Sequence, residues 1–282
     1  SVRIDRANVT LRGNGAHASV ILAPPLDAHG TENPRDPIRV RASGVHIENF
    51  WIRQPRRGII AQGNLDGLAI SDVVITQAER DGLTILGGEG ITVEGVVVTG
   101  SGRYGVYVRT ATGVEFRDCD IYENARAGLA LARAEVGVHF TTIYSNREGI
   151  RNGRSELLLR DSIIAGTERD GLRGRTTDVV TIDHTLFGLN ARDIAPSGIP
   201  TGAGVLLNTN PLFVDADGPD DVLGSAGWAD DDLSLSQVGG GQAVDSPAVD
   251  AGSDLASALD VTGSTASNGA PDTGQADLGA HR

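Results

Sequence analysis

A chain of 282 residues is long enough for one large domain or two ordinary ones, and it is 39% hydrophobic but only 4% aromatic, with 38 Gly. A core of Val, Ile and Leu with turns of Gly, Asn and Asp favours β-structure over a helical bundle. No apolar run is long enough for a helical membrane span, and all 24 basic residues are Arg, which excludes any mechanism that needs a lysine.

The charge is unevenly placed. Residues 210–282 hold 13 Asp and one Arg, whereas residues 1–209 hold 24 acidic residues and 23 Arg. The net charge of −13 therefore sits almost wholly in the last quarter, a compositional boundary near Thr209. There is no Met and no leader-like segment, so the sequence reads as a mature or excised fragment. The single Cys119 forms no intramolecular disulfide and reads as a small buried apolar residue.

The strand signals begin with NVTLRGNGAHASVIL (8–22), which reads as strand, Gly turn, strand. A Pro-rich insertion, PPLDAHGTENPRDP (24–37), reads as a surface excursion, and strands resume at IRV (38–40) and VHI (45–47). A series of Gly residues, each followed by a short apolar stretch, then sets in at Gly58, Gly82, Gly105, Gly128, Gly149 and Gly171, at spacings of 24, 23, 23, 21 and 22. The pentapeptide ERDGL appears at Glu79 and again at Glu168 because it is the same corner four repeats later. A second set of strand signals runs LAI, ITV, VEF, VHF, LLL, VTI (from Leu68 to Ile182), and a third ends at Trp51, Ile75, Val98, Ile121, Ile143, Ile164 and Phe187.

Each repeat of about 22 residues thus carries three short strands with in/out alternation and no sustained helical period. Such repeats coil, each strand pairing in parallel with its counterpart about 4.8 Å away. Ile59, Leu83, Val106, Leu129, Ile150 and Leu172 should stack in one buried ladder. Asn124, Asn146 and Asn190 should hold equivalent corners, in left-handed geometry, bonding the backbone of neighbouring coils. The L-x-x-L-x-L-x-x-N pattern of the leucine-rich repeat is missing. The expected fold is all-β: a single right-handed parallel β-helix over residues 1–209, with an irregular acidic C-terminal cap, 210–282, packed on the last coils.

The opening SVRIDRANVTLRGNG resembles the entry coil of secreted bacterial right-handed β-helix proteins. The closing NPLFVDADGPDDVLGSAGWADDDLSL (210–235), DSPAVDAGS (245–253) and PDTGQADLGAHR (271–282) resemble the C-terminal segment of exported, surface-anchored β-helix proteins similar to polymorphic outer-membrane proteins. The resemblance implies export and this fold. It implies no single activity.

The catalytic signatures of polysaccharide-acting β-helices are absent. There is no facial cluster of NTD, DD and GHG motifs, no DPHE motif, and no Lys for a Lys/Arg lyase pair. Counting forward from the corner Gly residues, the outward positions become basic in the later coils. Tyr107, Arg109, Arg133, Arg151, Arg173 and Arg175 form a strip in which Arg forks would hold carboxylate or sulfate groups and Tyr107 would stack on a sugar ring. In the same coils the inward position becomes Asn152 and Gly174, a break in the apolar ladder. A net charge of −1 over residues 1–209, with one aromatic on the strip, lacks the footprint of a nucleic-acid binder.

In the acidic segment, Asp215, Asp217 and Asp221 surround a Gly turn and suit Ca²⁺, although the bidentate Glu of an EF-hand loop is missing. Trp228 is expected to anchor this segment to the last coil. The six His show no metal-ligand spacing and receive no role. The sequence therefore points to a non-catalytic exported protein of the cell surface or matrix. It would bind anionic polysaccharide or serve as a structural, adhesive rod. The alternative is a Ca²⁺-assisted polysaccharide lyase-like enzyme on the same Arg face. The open strand edge at the first coil would allow end-to-end self-association.

Overall fold

The computed structural model describes residues 1–15, 18–22, 36–224 and 228–281. Residues 23–35, most of the Pro-rich insertion, lie outside the described residues. The chain winds as a parallel solenoid. Its first sheet holds nine strands: Val2–Ile4, Ile38–Val40, Ile59–Gln62, Leu83–Leu86, Val106–Arg109, Ala127–Ala132, Glu148–Gly153, Asp170–Arg173 and Arg192–Ala195. All their pairings are parallel and in the register that the Gly spacing demands: Ile59↔Leu83↔Val106↔Leu129↔Ile150↔Leu172. These six side chains are buried, each stacked on its counterpart in the next coil, so one apolar column serves every repeat.

The second and third strands of a coil run together in four places, His46–Arg53, Ala69–Thr76, Glu156–Ala165 and Val180–Gly188, which bend through a corner without losing pairing. One residue per coil makes that corner with positive φ: Asn49, Asp72, Gly95, Asp118, Phe140, Asp161 and His184. Asn, Asp and Gly tolerate this geometry. Phe140 does so because its ring is clamped, edge-on to His281 at 5.1 Å and under the Arg117 guanidinium at 4.8 Å.

The corner Gly residues are required by space rather than by φ. A Cβ on Gly149 would stand 2.4 Å from the Gly171 carbonyl oxygen and 2.6 Å from Ile164 Cγ2; a carbonyl collision recurs at Gly58, Gly82, Gly105 and Gly171, and at Gly128 the Cβ would meet Ile143 Cγ2 at 2.7 Å and Asn146 Nδ2 at 2.9 Å. Coils can stack at β-sheet spacing only if this position carries no side chain. Gly149→Ala is therefore expected to destabilise by about 1–3 kcal/mol, the usual toll of overpacking, read as a lowered midpoint in urea.

Asn124 and Asn146 stack on one another, Asn190 holds the same corner two coils on next to Thr167, and all three bond between coils, with one difference from expectation. The left-handed residue is the one before each Asn (Glu123, Ser145, Leu189), not the Asn itself. That turn points the amide inward. Asn146 Oδ1 accepts from the Asn124 N–H and Nδ2 at 2.9 Å each, and Asn146 Nδ2 donates to the Ile121 and Tyr144 carbonyls. Asn152, which interrupts the apolar column, does not break its strand. It is buried, donates to the Ser155 carbonyl at 3.0 Å and accepts from the Ser155 N–H at 3.1 Å. At Gly174 the strand has ended.

The described residues of the acidic segment lie against the outer face of the third strands. Phe213–Asp215 pairs antiparallel with Asp232–Leu235. Leu235, Ala248 and Leu278 pack on Ile163, Ala165 and Leu186. Trp228 does not reach the last coil. It packs beside Val74, Val97 and Tyr122, with its ring edge-on to Trp51 at 5.4 Å. The reason is antiparallel return: the segment leaves at the end of the solenoid and runs back along its flank, covering an apolar face that would otherwise be wet.

Candidate functional site

The first sheet and the corner that feeds it carry the basic face. Two residues before every corner Gly stands an Arg: Arg56, Arg80, Arg103, Arg126, Arg147 and Arg169, with Arg192 continuing the series. Counting forward from Gly does not reach this column; counting backward does. Its backbone is paired from coil to coil. The N–H of Arg80, Arg103 and Arg126 donates to the carbonyl of Arg56, Arg80 and Arg103, and those of Arg169 and Arg192 to Arg147 and Arg169, all at 2.8–3.0 Å. The short repeat slips by one residue, so that Glu148 rather than Arg147 bonds to Arg126. Seven Arg stems thus rise along one edge at about one per 4.8 Å.

A column of like charges at that spacing repels itself and needs anions. The fold supplies some. The position between Arg and Gly holds the buried acids Asp81, Glu148 and Asp170. Asp81 is 3.7 Å from Arg57 Nε and 3.9 Å from Arg103 Nε, Glu148 accepts from Arg173 Nη1 at 2.9 Å, and Asp170 is 2.7 Å from Arg192 Nη2. Hydrogen bonding to Glu148 raises the Arg173 pKa, whereas burial and the neighbouring Arg80 lower that of Arg57. Arg126, Arg147 and Arg169 are exposed and have no ion-pair partner among the described residues.

Midway along the column the rings of Tyr104 and Tyr107 lie 5.7 Å apart, inclined by 30°, with Arg103 Cζ 4.9 Å above Tyr104. Further along, Glu168, Arg169, Asp170, Arg173 and Arg192 line an open groove of about 460 Å³. An aromatic pair flanked by guanidinium forks suits a sugar ring with attached anionic groups.

The strip expected from sequence falls on this face unevenly. The outward column runs Arg39, Ile60, Thr84, Tyr107, Ala130, Arg151, Arg173. Arg151 and Arg173 are adjacent and exposed, and Ala130 separates them from Tyr107. Arg109 ends the strand beyond Tyr107 and is exposed. Arg133 is exposed in the turn after Ala127–Ala132, with φ of 54°. Arg175 lies past its strand, its N–H bonded to Asp178. Ile60, Thr84 and Ala130, outward by alternation, are nonetheless buried.

Asp215 ends a strand and is exposed, Asp217 is half-buried, and Asp221 is exposed with φ of 54°. Among the described residues, no group of three or more His, Cys, Asp or Glu is placed to hold a metal ion. Cys119 is buried, as expected, and burial pushes its thiol up to about 12. One His, by contrast, is far from idle. His281 is buried between Asp118 and Asp272, a cluster that no local spacing announces.

The family described as a right-handed β-helix region matches residues 36–187 and 81–214, which together make up more than half of the chain. The chain belongs to the right-handed β-helix family. No curated protein matches the sequence. Among solved structures, the pectate lyase Pel9A is similar at 13% identity and a TM-score of 0.51, over 95% of this chain and 85% of that one. The periplasmic alginate epimerase AlgG is similar at 15% identity and a TM-score of 0.47, over 61% of this chain, which spans only 50% of the epimerase. A GH87 α-1,3-glucanase from Streptomyces thermodiastaticus follows at 14% identity and a TM-score of 0.38, over 72% of this chain and 59% of that one. Likeness at this level concerns the fold. Among the described residues, no helix is long and apolar enough to cross a membrane.

Proposed function

We propose that this β-helix is an exported protein that holds anionic polysaccharide along its Arg edge without turning it over. The carrying observation is the seven-Arg column with the Tyr104–Tyr107 pair at its middle. A linear polyanion laid along the solenoid would meet one guanidinium per coil and relieve the repulsion within the column. That a solved structure similar to it over 95% of this chain is a pectate lyase agrees with a carbohydrate ligand. Export rests on the resemblance of the closing segment to those of surface-anchored β-helix proteins.

The test is retention of a polyuronate or a sulfated glycan in affinity electrophoresis. The double variant Arg126→Ala, Arg147→Ala removes two unpaired guanidinium groups and should weaken binding by about tenfold, equivalent to about 1.4 kcal/mol. Retention by the parent should fall with salt, because exposed charges are screened. Unchanged retention in the double variant would refute the reading. A rise in ultraviolet absorbance from unsaturated products would replace it with lyase chemistry on the same face.

A further inference from the structure

A second site lies on the opposite flank, where the acidic segment folds back over the solenoid. Between the two runs a cleft of about 580 Å³, walled by Asp72, Glu94, Asp118 and Asp120 from the coils and by Trp228 and His281 from the returning segment. Asp72 and Asp118 come from the same corner position two coils apart, with Gly95 between them. The absence of a side chain at Gly95 helps keep the cleft open. Its floor is apolar, made by Val74 and Val97. Along the same seam sits a smaller chamber of about 90 Å³ lined by Asp120, Asp231, Asp232, Ser264 and Thr265. Asp120 stands in the wall of both.

The chamber contains an incomplete hydrogen-bond set. Asp231 is nine-tenths buried. Its Oδ2 accepts from Tyr122 Oη at 2.7 Å and from the Gly224 N–H at 2.8 Å, yet its Oδ1 meets no donor. A buried carboxylate oxygen without a donor is costly, and burial raises the Asp231 pKa. What would complete it is a positively charged donor. No three carboxylates of the described residues are set to coordinate a bare metal ion, so the donor is one that reaches its partners through hydrogen bonds. His281 also faces the cleft, but its charge is already matched by Asp118 and Asp272.

We infer that this seam binds a small organic molecule bearing a primary ammonium group, with the ammonium at Asp120 and Asp231 and the body in the cleft beside Trp228. An ammonium offers three donors and no acceptor, which fits a chamber rich in acceptors. An aromatic wall next to carboxylates favours an organic cation over a hydrated inorganic one. Aliphatic polyamines and amino sugars share this chemistry.

Isothermal titration calorimetry on the full chain tests it, with putrescine, glucosamine, N-acetylglucosamine and CaCl₂ as separate probes. Saturable one-to-one binding of putrescine or glucosamine is expected, and the tighter of the two identifies the source. Acetylation, which removes the charge, should abolish binding. Asp120→Asn and Glu94→Gln should each weaken it at least tenfold, and exposed Glu94 keeps the test sound if the buried change impairs folding. The pair Asp215→Asn, Asp221→Asn removes two charges from residues that line neither cavity, twice what either single change removes, and should leave affinity unchanged. The inference fails if neither ammonium probe binds with one-to-one stoichiometry, or if the acetylated sugar binds as well as the free one. It fails equally if Ca²⁺ binds more tightly than both amines, or if the Asp215, Asp221 pair weakens binding as much as Glu94→Gln.

Discussion

Asn146→Ala should lower the unfolding free energy by about 3–5 kcal/mol, more than any other single truncation in the corner ladders. The side chain is buried and makes four hydrogen bonds: two accepted from Asn124 and two donated to the carbonyls of Ile121 and Tyr144. Alanine leaves the buried Asn124 N–H without its acceptor and takes one bond each from Asn124 Nδ2 and the Ile121 and Tyr144 carbonyls, where water does not reach; an unsatisfied buried group costs about 1–3 kcal/mol before relaxation. The damage would spread, because Asn124 is itself a rung, accepting the Ser101 N–H at 3.0 Å and donating to the Val98 carbonyl at 3.2 Å. In a solenoid each coil is stabilised by its neighbours, so loss of one rung loosens the coils on both sides. Urea unfolding checks this, with Ser145→Ala next door as the comparison. That side chain bonds only to exposed Glu123, and its loss should be small. Equal midpoints for the two variants would mean that the Asn ladder is ornamental.

Raising the pH from 6 to 10 should release the closing segment from the flank before the coils unfold. His281 Nε2 is 2.9 Å from Asp272 Oδ2, and Nδ1 is 3.7 Å from Asp118 Oδ1. Burial alone would push this imidazole down; the hydrogen bond to Asp272 and the charges of Asp118 and Asp272 outweigh it and hold it at about 9. The folded value lies above the unfolded value of about 6.5. The stabilisation is therefore fully present below about pH 6.5 and is lost as the pH rises through about 9. Converted at 1.36 kcal/mol per unit, it is on the order of 3 kcal/mol. The neighbouring contacts do not share this dependence. The Gly279 N–H donates to the Asp161 carbonyl at 3.0 Å and the Ala280 N–H to Thr142 Oγ1 at 3.1 Å, and both are neutral.

The expected result is local opening, seen as faster hydrogen exchange over residues 272–281 at pH 10 than the change in chemical rate explains. Protection at Ile121, Ile143 and Ile164 should be unchanged. His281→Gln should lose that protection at pH 6 and show no further pH step. If the parent shows no step between pH 6 and 10, the imidazolium does not hold the segment.

The coiled architecture was legible because its requirements are local and recur. Each repeat needs a Gly where the next coil's carbonyl passes, an apolar residue after it, and alternation along the strand. A period of about 22 residues prints these needs six times over. The Arg column was present in the same repeat, two residues ahead of Gly. Counting forward from Gly reached Tyr107, Arg109, Arg133, Arg151, Arg173 and Arg175 but none of that column, because a reading that follows the strand leaves out the corner. Ile60, Thr84 and Ala130 stand in the outward column and are buried all the same, since alternation fixes the side of a sheet but not what covers it.

The flank was beyond any such reading. Trp51 with Trp228, Tyr122 with Asp231, Asp161 with Ser253 and Asp118 with His281 are contacts between residues 92 to 177 positions apart. None repeats, and the residues involved share no spacing. Periodicity by itself determined how the coils stack, because every coil solves one steric problem in one way. Only the tertiary structure decided where the acidic segment lies and which carboxylates it brings together, because that segment docks once, along a face whose partners the chain supplies from its opposite end.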